Sequence, residues 1–286
     1  MALAIVLAFS ATIAFAQDTE RGLAELNQGR VTEAIRLLAA AVGANPNDTQ
    51  AVHGLAYAYL KAGQMDAASI WLQRTVELTP TDAESRFELA RILSWRPETR
   101  EEAYDHFERA VEARPGNGEY RLAYAEALSW DPHRRAQALA EYEQILSQHP
   151  TSPEAQSGLA QLLSWSGKLA RAERMYDLLI ARDPQYRPAL VGKGEVLAWS
   201  GRNLEAGEFL DRATPPEADS RWLLARATAS YGIGRLDQAA RRLATLFSSD
   251  PGNPHAQALQ QAIDDWRQPH IDFGFSLMRG SGDPAT

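Results

Sequence analysis

Leu55-Ala56-Tyr57-Ala58-Tyr59-Leu60-Lys61-Ala62-Gly63-Gln64-Met65-Asp66-Ala67-Ala68-Ser69-Ile70-Trp71-Leu72, with Pro80 eight positions further on, decides the fold of this 286-residue chain. Ala56 and Ala68 lie on either side of a turn at Gly63, so two antiparallel helices can approach closely at the alanines. Glycine tolerates the left-handed backbone that ends a helix, and proline cannot continue one. Leu72, four positions after the second alanine, is placed to fill the groove between neighbouring hairpins.

The unit recurs. Pro46, Pro80, Pro115, Pro150 and Pro184 stand at intervals of 34, 35, 35 and 34, and Pro216 and Pro251 continue the series. Small residues repeat in the same frame as Gly22/Ala34, Ala56/Ala68, Ala90/Ala103, Ala125/Ala138, Ala160/Ala172, Gly194/Ala206 and Ala227/Ala239. Turns are marked by Gly29, Gly63, Gly167, Gly201 and Gly234, or by Pro97 and Pro132 in the two repeats that carry an extra residue. The large residue of the second helix is Leu38, Leu72, Phe107, Tyr142, Tyr176, Leu210 or Leu243. A period of this length means an array of helix hairpins.

Leu55-Ala56 with Tyr59, Gly63, Ala68, Leu72 and Pro80, and Leu159-Ala160 with Gly167, Ala172, Tyr176 and Pro184, resemble the tetratricopeptide repeat. The resemblance covers residues 17–251 and implies an all-α, right-handed superhelical solenoid of about seven hairpins. Residues 252–268 then close the stack as a capping helix from Pro254 to Trp266. Two departures predict a local kink or looser contact: repeat six ends early at Pro215-Pro216 with Ala218 at the place of the terminal proline, and repeat seven carries Arg226 at a usually apolar position.

Length and charge agree with a stacked array, which buries one narrow continuous core. The net charge is −8 and the basic residues are dispersed, whereas nucleic-acid binding needs a clustered basic face. With no cysteine there is no disulfide framework and no thiolate metal site. The six histidines share no metal-ligand spacing, and no glycine-rich loop joins a strand to a helix. Catalytic groups do not converge anywhere, so no enzyme, metal or cofactor is expected.

Both ends depart from the period. Residues 2–15 form an apolar run shorter than an ordinary spanning helix, and Ala14-Phe15-Ala16 before Gln17 has the small-x-small form of a signal-peptidase site. Residues 1–16 therefore read as a signal peptide, the other reading being a hydrophobic first helix. In 269–286 the stretch His270-Ile271-Asp272-Phe273-Gly274-Phe275-Ser276-Leu277 alternates polar and apolar, the period of a strand. Three readings stand: a disordered tail, a strand that pairs elsewhere, or the first strand of an outer-membrane barrel. A signal peptide, a tetratricopeptide solenoid and a barrel in that order are similar to the organisation of bacterial exopolysaccharide export porins of the cellulose synthase operon protein C and poly-N-acetylglucosamine types. That resemblance implies a periplasmic, outer-membrane-associated module that meets polysaccharide and envelope proteins.

Trp95, Trp130, Trp165 and Trp199 form a ladder at intervals of 35, 35 and 34. By the family's frame they end first helices on the face turned to the concave groove, together with Tyr57, Lys61, Glu84, Arg91, Glu119, Glu126, Glu154, Gln161 and Glu195. Aromatic faces beside carboxylates and amides suit a sugar chain, and an acidic groove favours a partly cationic one. Alternatively each Trp is a packing wedge between repeats, the role read for Trp71, Trp222 and Trp266. The function expected is a non-catalytic scaffold for polymer or partner proteins. The alternative is a general protein–protein adaptor that grips a peptide or helix.

Overall fold

A computed structural model describes residues 17–213 and 219–267. The expected signal peptide, the Pro215-Pro216 end of repeat six and the C-terminal strand lie outside these residues. Among the described residues every regular element is helical: α1 (17–27), α2 (Val31–Ala44), α3 (Thr49–Lys61), α4 (Met65–Leu78), α5 (Ala83–Ser94), α6 (Arg100–Ala113), α7 (Gly118–Ser129), α8 (Arg135–Gln148), α9 (Pro153–Trp165), α10 (Leu169–Arg182), α11 (Arg187–Trp199), α12 (Asn203–Arg212), α13 (Ser220–Gly232), α14 (Leu236–Ser249) and α15 (Pro254–Arg267), with a 3-10 turn at Pro97–Thr99. The chain divides into two compact units, with the division after Leu162, inside α9.

The recurrent proline explains both a stop and a start. It follows the end of a second helix, and two residues later stands an N-cap whose side chain accepts backbone N–H bonds from the next first helix. Asp48, Asp82 and Asn117 each cap in this way, with N–H to Oδ1 distances between 3.0 and 3.2 Å. Asn253 does so at α15. Each such cap stabilises its helix by about 1 kcal/mol. Between first and second helices, Gly29, Gly63, Gly167, Gly201 and Gly234 all have φ between 71° and 76°. A side chain there would cost roughly 1–2 kcal/mol. These are the five glycines that the sequence marks as turns.

In the first unit, hairpins α1–α2, α3–α4, α5–α6 and α7–α8 are followed by the start of α9. Ala34, Ala56, Ala68, Ala90, Ala103, Ala125 and Ala138 are wholly buried where helices approach, and Leu38, Leu72, Phe107 and Tyr142 are buried beside them. Gly22 has no room for more, since a Cβ there would lie 2.7 Å from Leu38 Cγ. An aromatic row continues the core: Phe87 stacks on Tyr120 at 4.2 Å and meets Phe107 edge-on at 6.0 Å, and Phe107 meets Tyr124 at 5.9 Å. Gly158 leaves the space that the Tyr142 ring occupies, because a Cβ on it would lie 2.5 Å from the Tyr142 hydroxyl.

The second unit repeats this chemistry with α10 to α15. Ala172, Ala206, Ala227 and Ala239 are wholly buried, and Tyr176, Leu210 and Leu243 fill the grooves. Gly192 accommodates the Tyr176 ring as Gly158 does that of Tyr142. Helix α12 has 10 residues where α10 and α14 have 14. Arg226 meets its neighbours by charge: it pairs with Asp211, while Arg242 donates to the Arg226 carbonyl at 3.0 Å. Trp222 is buried, and Trp71 packs half-buried against the cores that α3 shares with α2 on one side and with α4 and α5 on the other. Trp266 departs from its expected packing role. It stands 69% exposed near the end of α15, because Ala256 and Ile263 form that helix's buried face.

Candidate functional site

The tryptophans of the ladder occupy one position in the repeat but not one local structure. In the 34-residue frame the first helix runs through the indole, so Trp165 and Trp199 are the last residues of α9 and α11. In the repeats with an extra residue, α5 and α7 stop at Ser94 and Ser129. Trp95 and Trp130 become C-caps there, with nearly identical backbones (φ −71°, ψ −21° and φ −71°, ψ −20°). Released from the helix, these two indoles are 84% and 66% exposed, against 47% for Trp199; Trp165 is half-buried. The packing-wedge reading does not describe the three exposed ones, since a wedge must be covered on both sides.

Trp95 belongs to a groove of about 620 Å³ in the first unit, lined by Tyr57, Leu60 and Lys61 of α3, Met65 of α4, Glu88, Arg91 and Ile92 of α5, and Arg96. The ladder frame supplied four of these residues: Tyr57, Lys61, Arg91 and Trp95. It missed Leu60, Met65, Glu88, Ile92 and Arg96. Met65 follows the turn at Gly63, Arg96 stands beside the turn at Pro97, and Glu88 lies three and four positions before Arg91 and Ile92, so a signal was present. His53 stacks on Tyr57 at 4.5 Å. Burial, then the charge of Glu84, pushes the Tyr57 hydroxyl up, so it stays protonated.

Charge in the first unit is sorted along the helices. Glu84, Glu119 and Glu154 lie in the first turns of α5, α7 and α9 and are exposed, while Lys61 and Arg91 lie in the last turns of α3 and α5. This order suits the helix dipole, positive at the start and negative at the end. Around Trp95, at the helix ends, the surroundings are therefore cationic where sequence reasoning expected acid. Arg91 pairs with Glu88 at 3.2 Å and Arg96 pairs with Asp66. Burial pushes the Glu88 carboxyl up, with Glu119 and Glu84 adding to it and Arg91 opposing. Further along, Glu126 of α7 meets solvent, and partial desolvation pushes its carboxyl up too. Gln161 of α9 is half-buried.

In the second unit Glu195 is held by Arg221, whose guanidinium donates to its two oxygens at 3.1 and 2.6 Å. Lys193 pairs with Asp177 at 2.6 Å and lies 4.9 Å over the Phe209 ring. Among the described residues no group of three or more metal-ligating side chains comes together, and no helix is long and apolar enough to cross a membrane.

A family model described as tetratricopeptide repeat matches residues 25–93 and 129–189, and a second of the same description matches 166–221, together more than half of the chain. No curated protein sequence matches it. Among solved structures, a tetratricopeptide repeat protein from Parabacteroides merdae is similar over 87% of this chain and 98% of its own, at 17% identity and a TM-score of 0.76. PilF of Pseudomonas aeruginosa is similar over 75% of this chain and 97% of its own, at 17% identity and a TM-score of 0.53. The MamA protein is similar over 60% of this chain and 95% of its own, at 18% identity and a TM-score of 0.54.

Proposed function

The chain belongs to the tetratricopeptide-repeat family, and from that premise we propose that it is a non-catalytic periplasmic scaffold of an outer-membrane polysaccharide secretion or assembly system. The observation that carries this reading is the series of indoles exposed at equivalent helix ends, Trp95, Trp130 and Trp199. Large apolar rings open to water mark an interaction surface. A flat ring that recurs on successive hairpins of the first unit, Trp95 and then Trp130, suits a ligand that itself repeats, and sugar rings offer C–H faces for stacking and hydroxyls for Glu126, Gln161 and their like. The apolar leader ending in Ala14-Phe15-Ala16 supports export, and the alternating 270–277 segment supports attachment to a barrel.

The test is titration of the full chain with neutral β-linked oligosaccharides, followed by calorimetry. Saturable binding that is lost in Trp95→Ala and Trp130→Ala, with helices retained by circular dichroism, is expected. A flat titration of the unmodified chain would refute the polymer ligand. A second reading, a protein adaptor of the envelope, is favoured by the apolar part of the Trp95 groove, Leu60, Met65 and Ile92. It expects instead that an envelope protein co-purifies with the chain and is lost on the same substitutions. Export is tested separately: N-terminal sequencing of fractionated protein should find Gln17, and an intact Met1 in the cytosol would count against the periplasm.

A further inference from the structure

We propose that the groove at Trp95 takes an anionic sugar unit, a hexose bearing a carboxylate, so that the polymer is acidic at least where it meets this end of the chain. The proposal rests on the polymer reading above and names its chemistry.

Three cations, Lys61, Arg91 and Arg96, line the groove against one carboxylate, Glu88. With Asp66 counted as the partner of Arg96, a positive excess remains. Lys61 is exposed and has no hydrogen-bond or ion-pair partner among the described residues. Arg91 is held by Glu88, whose desolvated carboxyl is a poorer anion than an open one. A ligand carboxylate would therefore meet an ammonium without a competing counterion and guanidinia able to share a second oxygen.

Beside these cations the Trp95 indole is 84% exposed, a flat and open platform. A side-chain anchor of a peptide gains most in an enclosed, desolvated pocket. A sugar ring gains from an open aromatic face, with its polar edge left in water. The residue one turn before the indole also differs between rungs: Arg91 precedes Trp95, whereas Glu126 precedes Trp130, Gln161 precedes Trp165 and Glu195 precedes Trp199. The acidic unit is thus read at the Trp95 groove.

The experiment compares oligogalacturonate, cello-oligosaccharide and oligoglucosamine of equal length on the full chain, by calorimetry at low and high salt. Oligogalacturonate should bind most tightly, and its advantage over the neutral sugar should shrink as salt shortens the screening length. Lys61→Gln should weaken oligogalacturonate roughly threefold to fivefold, the scale of one exposed charge contact, and leave the neutral sugar unchanged. Trp95→Ala should weaken both, while Trp266→Ala should weaken neither. Equal or tighter binding of the neutral or cationic sugar would overturn the anionic assignment while the polymer reading stands. Flat titrations with all three sugars, alongside saturable binding of a Glu-rich peptide, would overturn both.

Discussion

Replacing Gly158 by alanine sets two effects of known sign against each other. Within a helix, alanine is favoured over glycine by about 1 kcal/mol. At Gly158, however, the new Cβ would lie 2.5 Å from the Tyr142 hydroxyl and 2.6 Å from Cε1 and Cζ. Ordinary contact begins near 3.5 Å, so the ring must retreat by about 1 Å. Tyr142 is 1% exposed and packed between hairpins. Overpacking of this kind costs about 1–3 kcal/mol, which outweighs the propensity gain. Gly207 in α12 supplies the reference, because a Cβ there meets nothing within 4 Å. Gly207→Ala should stabilise by up to ~1 kcal/mol, so the two substitutions should differ by about 1–3 kcal/mol. Urea denaturation followed by circular dichroism measures this, with hydrogen exchange to place the loss in α8 and α9. Adding Tyr142→Leu to Gly158→Ala should recover about 0.5–3 kcal/mol as a coupling energy. A Gly158→Ala protein as stable as Gly207→Ala, or a coupling of zero, would refute the steric account.

Gly63→Ala isolates backbone strain, since φ is 71° and no atom lies within 4 Å of the added Cβ; denaturation should show a loss of about 1–2 kcal/mol, and no loss would mean that the turn relaxes. His106 is buried, with its ring 3.4 Å from the Arg86 guanidinium and 3.8 Å from Glu102. Burial, then Arg86, holds its pKa below the ordinary 6.5, with Glu102 and Asp105 opposing and Arg109 reinforcing. The unfolded chain therefore binds the proton first, and stability should fall as pH drops below about 6.5 toward the folded value. Denaturation across that range should lose this slope in His106→Gln, and an unchanged slope would assign it elsewhere. Arg121 donates to Glu141 at 2.5 Å and to Gln144 at 3.0 Å, with both ion-pair partners largely covered. Glu141→Ala should cost about 3–5 kcal/mol by stranding the guanidinium, and Arg121→Met with Glu141→Leu should recover most of it in the same assay.

What the sequence made legible was whatever depends on backbone chemistry at fixed spacing. The turn glycines, the wholly buried alanines and the groove-filling Leu38, Leu72, Phe107, Tyr142, Tyr176, Leu210 and Leu243 each follow from one residue's size or conformational range. The match between Tyr142 and Gly158, and between Tyr176 and Gly192, was in the sequence as well. Reading it required knowing which residue of the next repeat faces the ring. The site was less legible for a different reason. Exposure of Trp95 and Trp130 depends on where a helix stops, and a single added residue moves that stop by one position. Trp266 was misread because spacing alone does not tell which face of α15 is covered, and that face is the one carrying Ala256 and Ile263. The cationic setting of Trp95 comes from Lys61 and Arg96, which are distant in sequence from each other and adjacent only once α3 and α5 stack.

The extra residue at Pro97 and at Pro132 also shows where this architecture tolerates change. Both additions fall at a hairpin tip, and Ala103, Phe107, Ala138 and Tyr142 beyond them are as fully buried as their counterparts in the shorter repeats. The tips act as slack: a change in chain length is taken up there and does not propagate into the helix pairing on either side. A short reporter peptide or spectroscopic tag grafted beside Pro97 or Pro132 should leave the stack intact while standing next to an exposed indole, and these tips are natural points of attachment for following what the chain binds.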